Sequence, residues 1–351
     1  MKKIAALLIA VLLVVSLTGC GSKPATNNAG ETKQEVVTLK LASHNAVDHP
    51  YGKSHQWFIN RVAELTNGSV KINYYPSEQL GKVADMSKLL QSGTTDMAFI
   101  AHGFEMAKFP LNSVMLLPYW TTASEGVAIN QKLIDTVPEL TEEYTRQGLK
   151  IVSIMPTAQF DLGTTKKPVT KPEDLKGLKM LVSGGYFNDI AQVYGIVPVN
   201  ASPGEFYDMM QKGIVDGADQ GIATIQGYKL SDMVKYQTLG IPMGGSNMYI
   251  AISDAAWAKL SPDQQKAVMQ AGKEASVEEG KIWDTNVQKV KEEFVAKGIT
   301  IYEPKGDEIA QWQAPMNGIE KKWVDDMNKL GKPGQKVFDA FRAACKEVTG
   351  R

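Results

Sequence analysis

The stretch from Ser261 to Gly298 constrains this chain most. Ser261 reads as an N-cap, with Pro262 at the first helical position and Gln264 at the third, a capping-box arrangement. Apolar residues then recur with helical period through Val268, Ile282, Val287, Val290 and Phe294 as far as Gly298, a C-capping glycine. At about 1.5 Å per residue such a helix is on the order of 50 Å long. It can therefore lie across two domains, with Gly272 and Gly280 as candidate bends.

Upstream, strand and helix signals alternate. Strands are expected at 36–42, 70–75 and 97–100, separated by helices over 50–66 (closed by Asn67-Gly68) and 82–91. A helical stretch over 122–147 is interrupted at Pro138. Strands at 150–155, 178–182, 196–199 and 214–218 follow, with helices near 185–194 and 205–212, and a strand over 246–253 returns toward the first group. Two amphipathic helices close the chain, 307–329 with a break at Pro315 and 334–348. Alternation of this kind argues for α/β architecture in two units, each a parallel sheet covered on both faces.

The N-terminus reads as an address. Lys2 and Lys3 precede an apolar run from Ile4 to Val15, too short to span a bilayer comfortably, and Leu17-Thr18-Gly19-Cys20 closes it. A cysteine at that point resembles a bacterial lipobox, in which Cys20 is lipidated, as by palmitate, and becomes the new N-terminus. Residues 21–35 have the polar composition of a tether. The mature chain would then carry 36 basic and 38 acidic residues, a charge of about −2. Cys345 remains as an isolated thiol, unable to form a disulfide or a thiolate metal site within the domain.

Charge and motifs exclude other classes. With 38 basic against 38 acidic residues in 351, there is no cationic surplus to neutralise a nucleic-acid backbone. The four histidines, His44, His49, His55 and His102, lack zinc-hydrolase spacing; no glycine-rich phosphate loop follows a strand and no Gly-x-Ser-x-Gly elbow is present. Asp216-Gly217-Ala218-Asp219 lacks the rest of a calcium loop and reads as a turn. No catalytic, metal or cofactor site is expected, and the chain is not read as an enzyme.

Three stretches are placed to flank a cleft. Pro118-Tyr119-Trp120 follows an apolar run, Gln159-Phe160-Asp161 crosses between the two units, and Leu178–Gly185 ends a strand in glycines where backbone can approach a ligand. Each has an alternative: Tyr119 and Trp120 also suit a core or domain-contact patch, Asp161 a solvated turn, and His44-Asn45 a plain strand end.

The order of motifs resembles the DctP-type solute-binding proteins of tripartite ATP-independent periplasmic (TRAP) transporters over essentially the whole mature length. The carriers are Asn67-Gly68-Ser69-Val70-Lys71-Ile72 with Tyr75-Pro76 and Gln79-Leu80-Gly81; Leu117-Pro118-Tyr119; Lys167-Pro168-Val169 through Pro172-Glu173-Asp174-Leu175-Lys176-Gly177-Leu178-Lys179; Glu205-Phe206-Tyr207 with Gln211–Gly217; and Trp257–Pro262 with Gln264-Gln265. The resemblance implies a two-domain periplasmic-binding-protein-like (type II) α/β fold with a long domain-spanning helix. The first domain would take 36–157 plus 247–285 and the second 158–246 plus 286–351, after a signal over 1–19 and a lipid-anchored linker over 20–35. It implies an exported protein, periplasmic or lipid-anchored to the outer face of the membrane, that closes on a small organic solute and delivers it to TRAP permease subunits. A ligand-sensing module for a membrane receptor is the alternative use of the same fold.

One departure bears on the ligand. Most family members hold a carboxylate through an arginine ending the Gly-Leu-Lys-x-Arg strand, where this chain has Leu181, and many have a second arginine about twenty residues earlier, where an ungapped count gives Asp161. The chain's four arginines, Arg61, Arg146, Arg342 and Arg351, avoid residues 147–341 altogether. An anion 4 Å from Asp161 would meet repulsion of about 4 kcal/mol at an effective dielectric near 20. The expectation is a neutral, zwitterionic or cationic ligand held by Asp161 with Asp219 or Gln220 and packed on Trp120, Phe104 or Tyr186. His44, Asn45, Tyr119, Gln159, Leu181, Gly184 and Tyr207 complete the expected ligand-binding set. The alternative is an organic acid held by a lysine, backbone amides or a helix N-terminus.

Overall fold

The computed structural model describes residues 36–350; the expected signal over 1–19, Cys20 and the expected linker lie outside the described residues. Two mixed sheets organise the chain. The first has the order β2 (Val70–Tyr75), β1 (Val37–Ala42), β3 (Met97–Ala101), β10 (Met248–Ser253), β4 (Leu149–Ile154). The second runs β11 (Thr300–Tyr302), β9 (Tyr236–Thr238), β5 (Leu162–Thr164), β8 (Gly217–Asp219), β6 (Lys179–Val182), β7 (Val197–Asn200). Helices α1 (Pro50–Leu65), α2 (Met86–Gln91), α3 (His102–Glu105), α4 (Ala123–Thr136) and α5 (Pro138–Thr145) belong to the first half of the chain. They are followed by α6 (Tyr186–Val193), α7 (Phe206–Gln211), α8 (Ile222–Gly227), α9 (Asp254–Trp257), α10 (Pro262–Ala296), α11 (Asp307–Gln313), α12 (Ile319–Lys329) and α13 (Gly334–Thr349).

The expectation of purely parallel sheets is corrected. β1, β2 and β3 are parallel, as are β6, β7 and β8, but β10 runs antiparallel to β3 and β4, and β5 antiparallel to β8 and β9. The cause is that the chain passes from the first sheet to the second after β4 and returns after β9, so each sheet receives strands of both directions. The two passages pair with each other. Met155 N–H donates to Met248 O at 2.8 Å, Thr157 N–H to Ser246 O at 3.0 Å and Phe160 N–H to Gly244 O at 2.6 Å, and Gln159 bridges Gly245. Gly245 lies under the Trp120 indole, where a Cβ would come within 2.5 Å of the ring, and the indole N–H donates to Thr157 O at 3.0 Å.

The long helix is α10. Ser261 and Gln264 form the expected reciprocal cap: the Gln264 N–H donates to Ser261 Oγ at 3.3 Å and the Ser261 N–H to Gln264 Oε1 at 2.9 Å. The helix is unbroken over 35 residues and packs on α1, α4 and β4 in its first half and on α8 and β11 further on. Gly272 is a point of contact rather than a bend, since a Cβ there would meet Val152 O at 1.9 Å. One turn later Ser276 Oγ accepts the Ile154 N–H at 2.9 Å, and Asp284 caps α4 by accepting the N–H groups of Ala123 (2.8 Å) and Ser124 (3.2 Å).

Other boundaries follow sequence chemistry. Pro138 separates α4 from α5, and Pro315 lies in the single tight turn between α11 and α12. The strand expected from Ile214 is shorter: only Gly217–Asp219 pairs, and Ile214 is in an exposed turn. The three-residue strands β5, β9 and β11 and the helix α8 carry no periodic signal of their own and were not expected.

Replacing Gly272 by alanine tests the close approach of α10 to β4. Helix propensity alone favours alanine by about 1 kcal/mol, but the contact with the Val152 carbonyl makes the substitution destabilising by roughly 1–3 kcal/mol in chemical denaturation.

Candidate functional site

The carboxyl ends of β1, β3, β6 and β8 converge, the usual place for a ligand in open α/β sheets. Beyond β1 come His44 and Asn45, beyond β3 Gly103 and Phe104, beyond β6 Ser183, and beyond β8 Gln220. Thr157, Phe160 and Ser246 of the two passages supply the floor, and Phe206, Thr224 and Tyr228 close the far wall. The enclosed volume is about 30 Å³, roughly one water's share of liquid and far below what an organic solute fills. The two halves touch across it: Asn45 Nδ2 donates to the Tyr228 hydroxyl at 2.8 Å, and His49 and Tyr228 ring centres lie 5.0 Å apart.

No lysine, arginine, aspartate or glutamate lines this cavity. Its walls are aromatic: His44 stacks on Phe99 (5.5 Å, 19°), Phe160 on Phe187 (4.9 Å, 13°), and Phe206 meets Tyr228 edge-on at 5.6 Å. Among them stand hydrogen-bonding groups with spare capacity. His44 Nδ1, Asn45 Oδ1 and His49 Nε2 are buried with no partner among the described residues. His49 Nδ1 accepts the Tyr51 N–H at 3.2 Å as the N-cap of α1, which places the ring proton on Nε2 as a free donor. Gln220 Nε2 donates to Ser183 Oγ at 3.1 Å across β6 and β8. Burial lowers His44 and His49 to a pKa of about 3, with mutual proximity adding to the effect at His49, so both imidazoles are neutral at pH 7.

A second, wider groove of about 670 Å³ runs between the passages, α10 and the helices α11 and α12. Thr157, Phe160 and Ser246 go to the first cavity, whereas Ala158, Gln159, Asp161, Gly240 and Pro242 line the groove.

The expected site residues therefore separate. His44, Phe104 and Gln220 line the small cavity, and Asn45 belongs to its wall through Tyr228. Tyr119, Trp120, Gln159 and Asp161 line the wide groove, with Gln159 donating to Ile241 O and the Tyr119 hydroxyl bonded to Glu320 and to Arg342. Leu181 is fully buried in the apolar cluster that contains Phe206, and Tyr207 packs half-buried on its edge. Gly184 turns the end of β6 at φ +82°. Tyr186 is buried away from both cavities, its hydroxyl 3.3 Å from Asp326 Oδ2. Asp219 is 1 % exposed, lines neither cavity, and has no partner for either oxygen among the described residues. Residues not named for the site, His49, Ser183, Phe206, Thr224 and Tyr228, also line the small cavity; Ser183 lies in the Leu178–Gly185 stretch and Phe206 beside Tyr207, whereas nothing in the local sequence marks Thr224 and Tyr228, which tertiary folding brings there.

Three of the buried carboxyls are shifted upward and stand apart from it. Burial raises Asp161 to about 7 against the Gly240 N–H that its Oδ1 accepts at 3.1 Å; it holds Asp219 well above the usual carboxylate range, with Asp161 adding repulsion, and Glu279 of α10 likewise, with Asp284 adding.

The chain matches the family model described as bacterial extracellular solute-binding protein, family 7, over residues 41–326. A solute-binding protein of Roseobacter denitrificans is 28% identical over 281 residues, 78% of this chain and 83% of that protein. The sialic acid-binding periplasmic protein SiaP of Vibrio cholerae is 25% identical over 308 residues, 83% of this chain and 90% of SiaP. Among solved structures, a TRAP solute-binding protein from Rhodoferax ferrireducens with copurified benzoate superposes with a TM-score of 0.82 at 21% identity. A marine metagenome TRAP protein specific for aromatic acids, with 3-hydroxybenzoate, gives 0.83 at 22%. Each covers 90% of this chain and 99% of the other.

Stability should stop rising with pH once the histidines are neutral. Burial lowers His44, His49, His55 and, at about 4, His102 below their unfolded values, so the stability they support is complete above about pH 6.5 and is lost as the pH falls toward their folded values. Asp161, Asp219 and Glu279 are raised, so they favour unfolding once the pH rises above about 4. The two sets oppose each other below about pH 6.5, and above it the histidines add nothing while the raised acids still favour unfolding. Urea midpoints of the ligand-free protein should therefore not rise above about pH 6.5; a steady rise to pH 8 would contradict the burial of the acids.

Proposed function

The chain belongs to the DctP family of bacterial extracellular solute-binding proteins, the type that serves TRAP transporters, and we propose that it captures an uncharged aromatic solute between its two sheets for delivery to a membrane permease. The observation that carries the ligand class is the cavity lining: aromatic rings and neutral hydrogen-bonding groups, with no ionised side chain and with Leu181 buried in place of a cation. An ion brought into such a site would lose its hydration without a counter-charge, whereas an amide or hydroxyl matches the open capacity of His44, Asn45, His49 and Gln220. The benzoate and 3-hydroxybenzoate of the two similar structures have the ring but also a charge that this lining does not answer. Asp161, first placed at the ligand, faces the other groove and drops out of this role.

Capture is a closure. Since about 30 Å³ admits no such solute, the halves separate to load it, and the closed form is favoured only when the ligand contacts both. On closure around the ligand, Asn45, His49 and Tyr228 exchange their contacts across the gap for contacts with the solute.

A second reading is favoured by the unpartnered nitrogens of His44 and His49: a carboxylate could be bound with uptake of a proton by one imidazole, whose pKa its charge would raise. Calorimetry in buffers of different ionisation enthalpy separates the two, because only the carboxylate reading gives proton uptake at pH 7.

In a thermal-shift comparison at pH 7, benzamide should stabilise the protein and benzoate should not. At a hundredfold excess over Kd the gain is about 2.7 kcal/mol, and Gln220→Leu should abolish it. Strong stabilisation by benzoate would overturn the uncharged-ligand reading.

We also propose that Cys20 is acylated and holds the protein at the outer face of the membrane, supported by Leu17-Thr18-Gly19-Cys20 after a charged and apolar leader. Cys20→Ser should then move the protein from the detergent phase to the aqueous phase in a phase-partition assay.

A further inference from the structure

We infer that the wide groove behind the passages is a second binding site, selective for a small organic ammonium ion with an apolar body. Its volume of about 670 Å³ falls within the range of small-molecule sites. Its apolar lining comes from elements far apart in sequence: Val287 on α10, Ile309 on α11 and Met316 before α12; Trp120 and Trp283 also border it but are each only 1 % exposed.

The charge of the groove selects the ligand. Glu303 is engaged by Lys291 at 2.5 Å, and Glu320 by Arg342 at 3.4 Å and by the Tyr119 hydroxyl. Asp161 is 9 % exposed, opens on the same groove and makes no ion pair. The backbone N–H groups of Gly240, 3.1 Å from Oδ1, and of Ile222 donate to it but supply no counter-ion. An ammonium group at Asp161 supplies that counter-ion, and the remainder of the molecule lies along the apolar lining. A carboxylate ligand would meet Asp161 and Glu303 instead.

The groups facing Asp161 are Asp219 from β8, the Gly240 amide beyond β9, and the Lys291–Glu303 pair from α10 and the segment after β11. With Asp161 titrating at about 7, the affinity for an ammonium ion should rise about tenfold between pH 6 and pH 8, following its ionised fraction. Trp283 also touches the other cavity, its ring 4.6 Å from Tyr51 and 6.1 Å from His49, so the two sites share a wall without sharing a ligand.

The test is a tryptophan-fluorescence titration of the full chain with benzylammonium chloride, using benzyl alcohol as the uncharged control. Saturable quenching is expected, at least about tenfold weaker for benzyl alcohol, with the pH dependence above. Asp161→Asn should remove both the preference and the pH dependence while leaving stabilisation by benzamide intact, and Gln220→Leu should do the reverse. No saturation up to about 10 mM, pH-independent binding, an unaffected Asp161→Asn variant, or loss of benzylammonium binding in Gln220→Leu would each overturn the second site.

Discussion

The backbone pairing between residues 155–160 and 244–248 is the constraint on which the rest of the structure depends. Because these two passages bond to each other, they form a narrow ribbon that separates the small cavity from the wide groove. Thr157, Phe160 and Ser246 fall on one side, Ala158, Gln159, Asp161 and Pro242 on the other. Ala158 and Gln159, although adjacent, share a side, so the ribbon departs here from the strict alternation of a regular strand. Trp120 fixes the register by seating its indole on Gly245 and bonding to the Thr157 carbonyl.

Desolvation then sorts the chemistry of the two sides. The smaller cavity keeps its histidines neutral because burial favours the uncharged ring and no carboxylate lines the cavity to stabilise the charged one. The buried carboxyls among the described residues, Glu105, Glu143, Asp161, Asp219 and Glu279, are all excluded from that lining. Polarity without charge is thus a property of the entire cavity and not of the single position, Leu181, where an arginine was looked for.

Long-range architecture was legible in the sequence wherever a local signal was strong. The Ser261–Gln264 cap, the period to Phe294 and the breaks at Pro138 and Pro315 are all local, and the helices they delimit are in place. Strands of three residues cannot display a period, which hid β5, β9 and β11. The site was half legible for the same reason. His44 and Phe104 follow long strands whose ends could be located, whereas Thr224 lies in α8, a six-residue helix without its own pattern, and Tyr228 caps it. The side on which Asp161 emerges is set with partners some eighty residues away, Gly240 among them, and no nearby residue encodes it. Gly272 and Gly280 were expected as bends; Val152 and Ser124 show them instead to be close contacts in an unbroken helix.

The small volume of the closed cavity has a kinetic consequence. With about 30 Å³ enclosed and Asn45 bonded to Tyr228 across the opening, no solute enters or leaves without a separation of the two halves, so the opening rate sets an upper bound on dissociation. The residence time of a bound solute is then governed by contacts that the solute itself need not make. A permease that pulled on either half would shorten it without competing for a single hydrogen bond in the cavity.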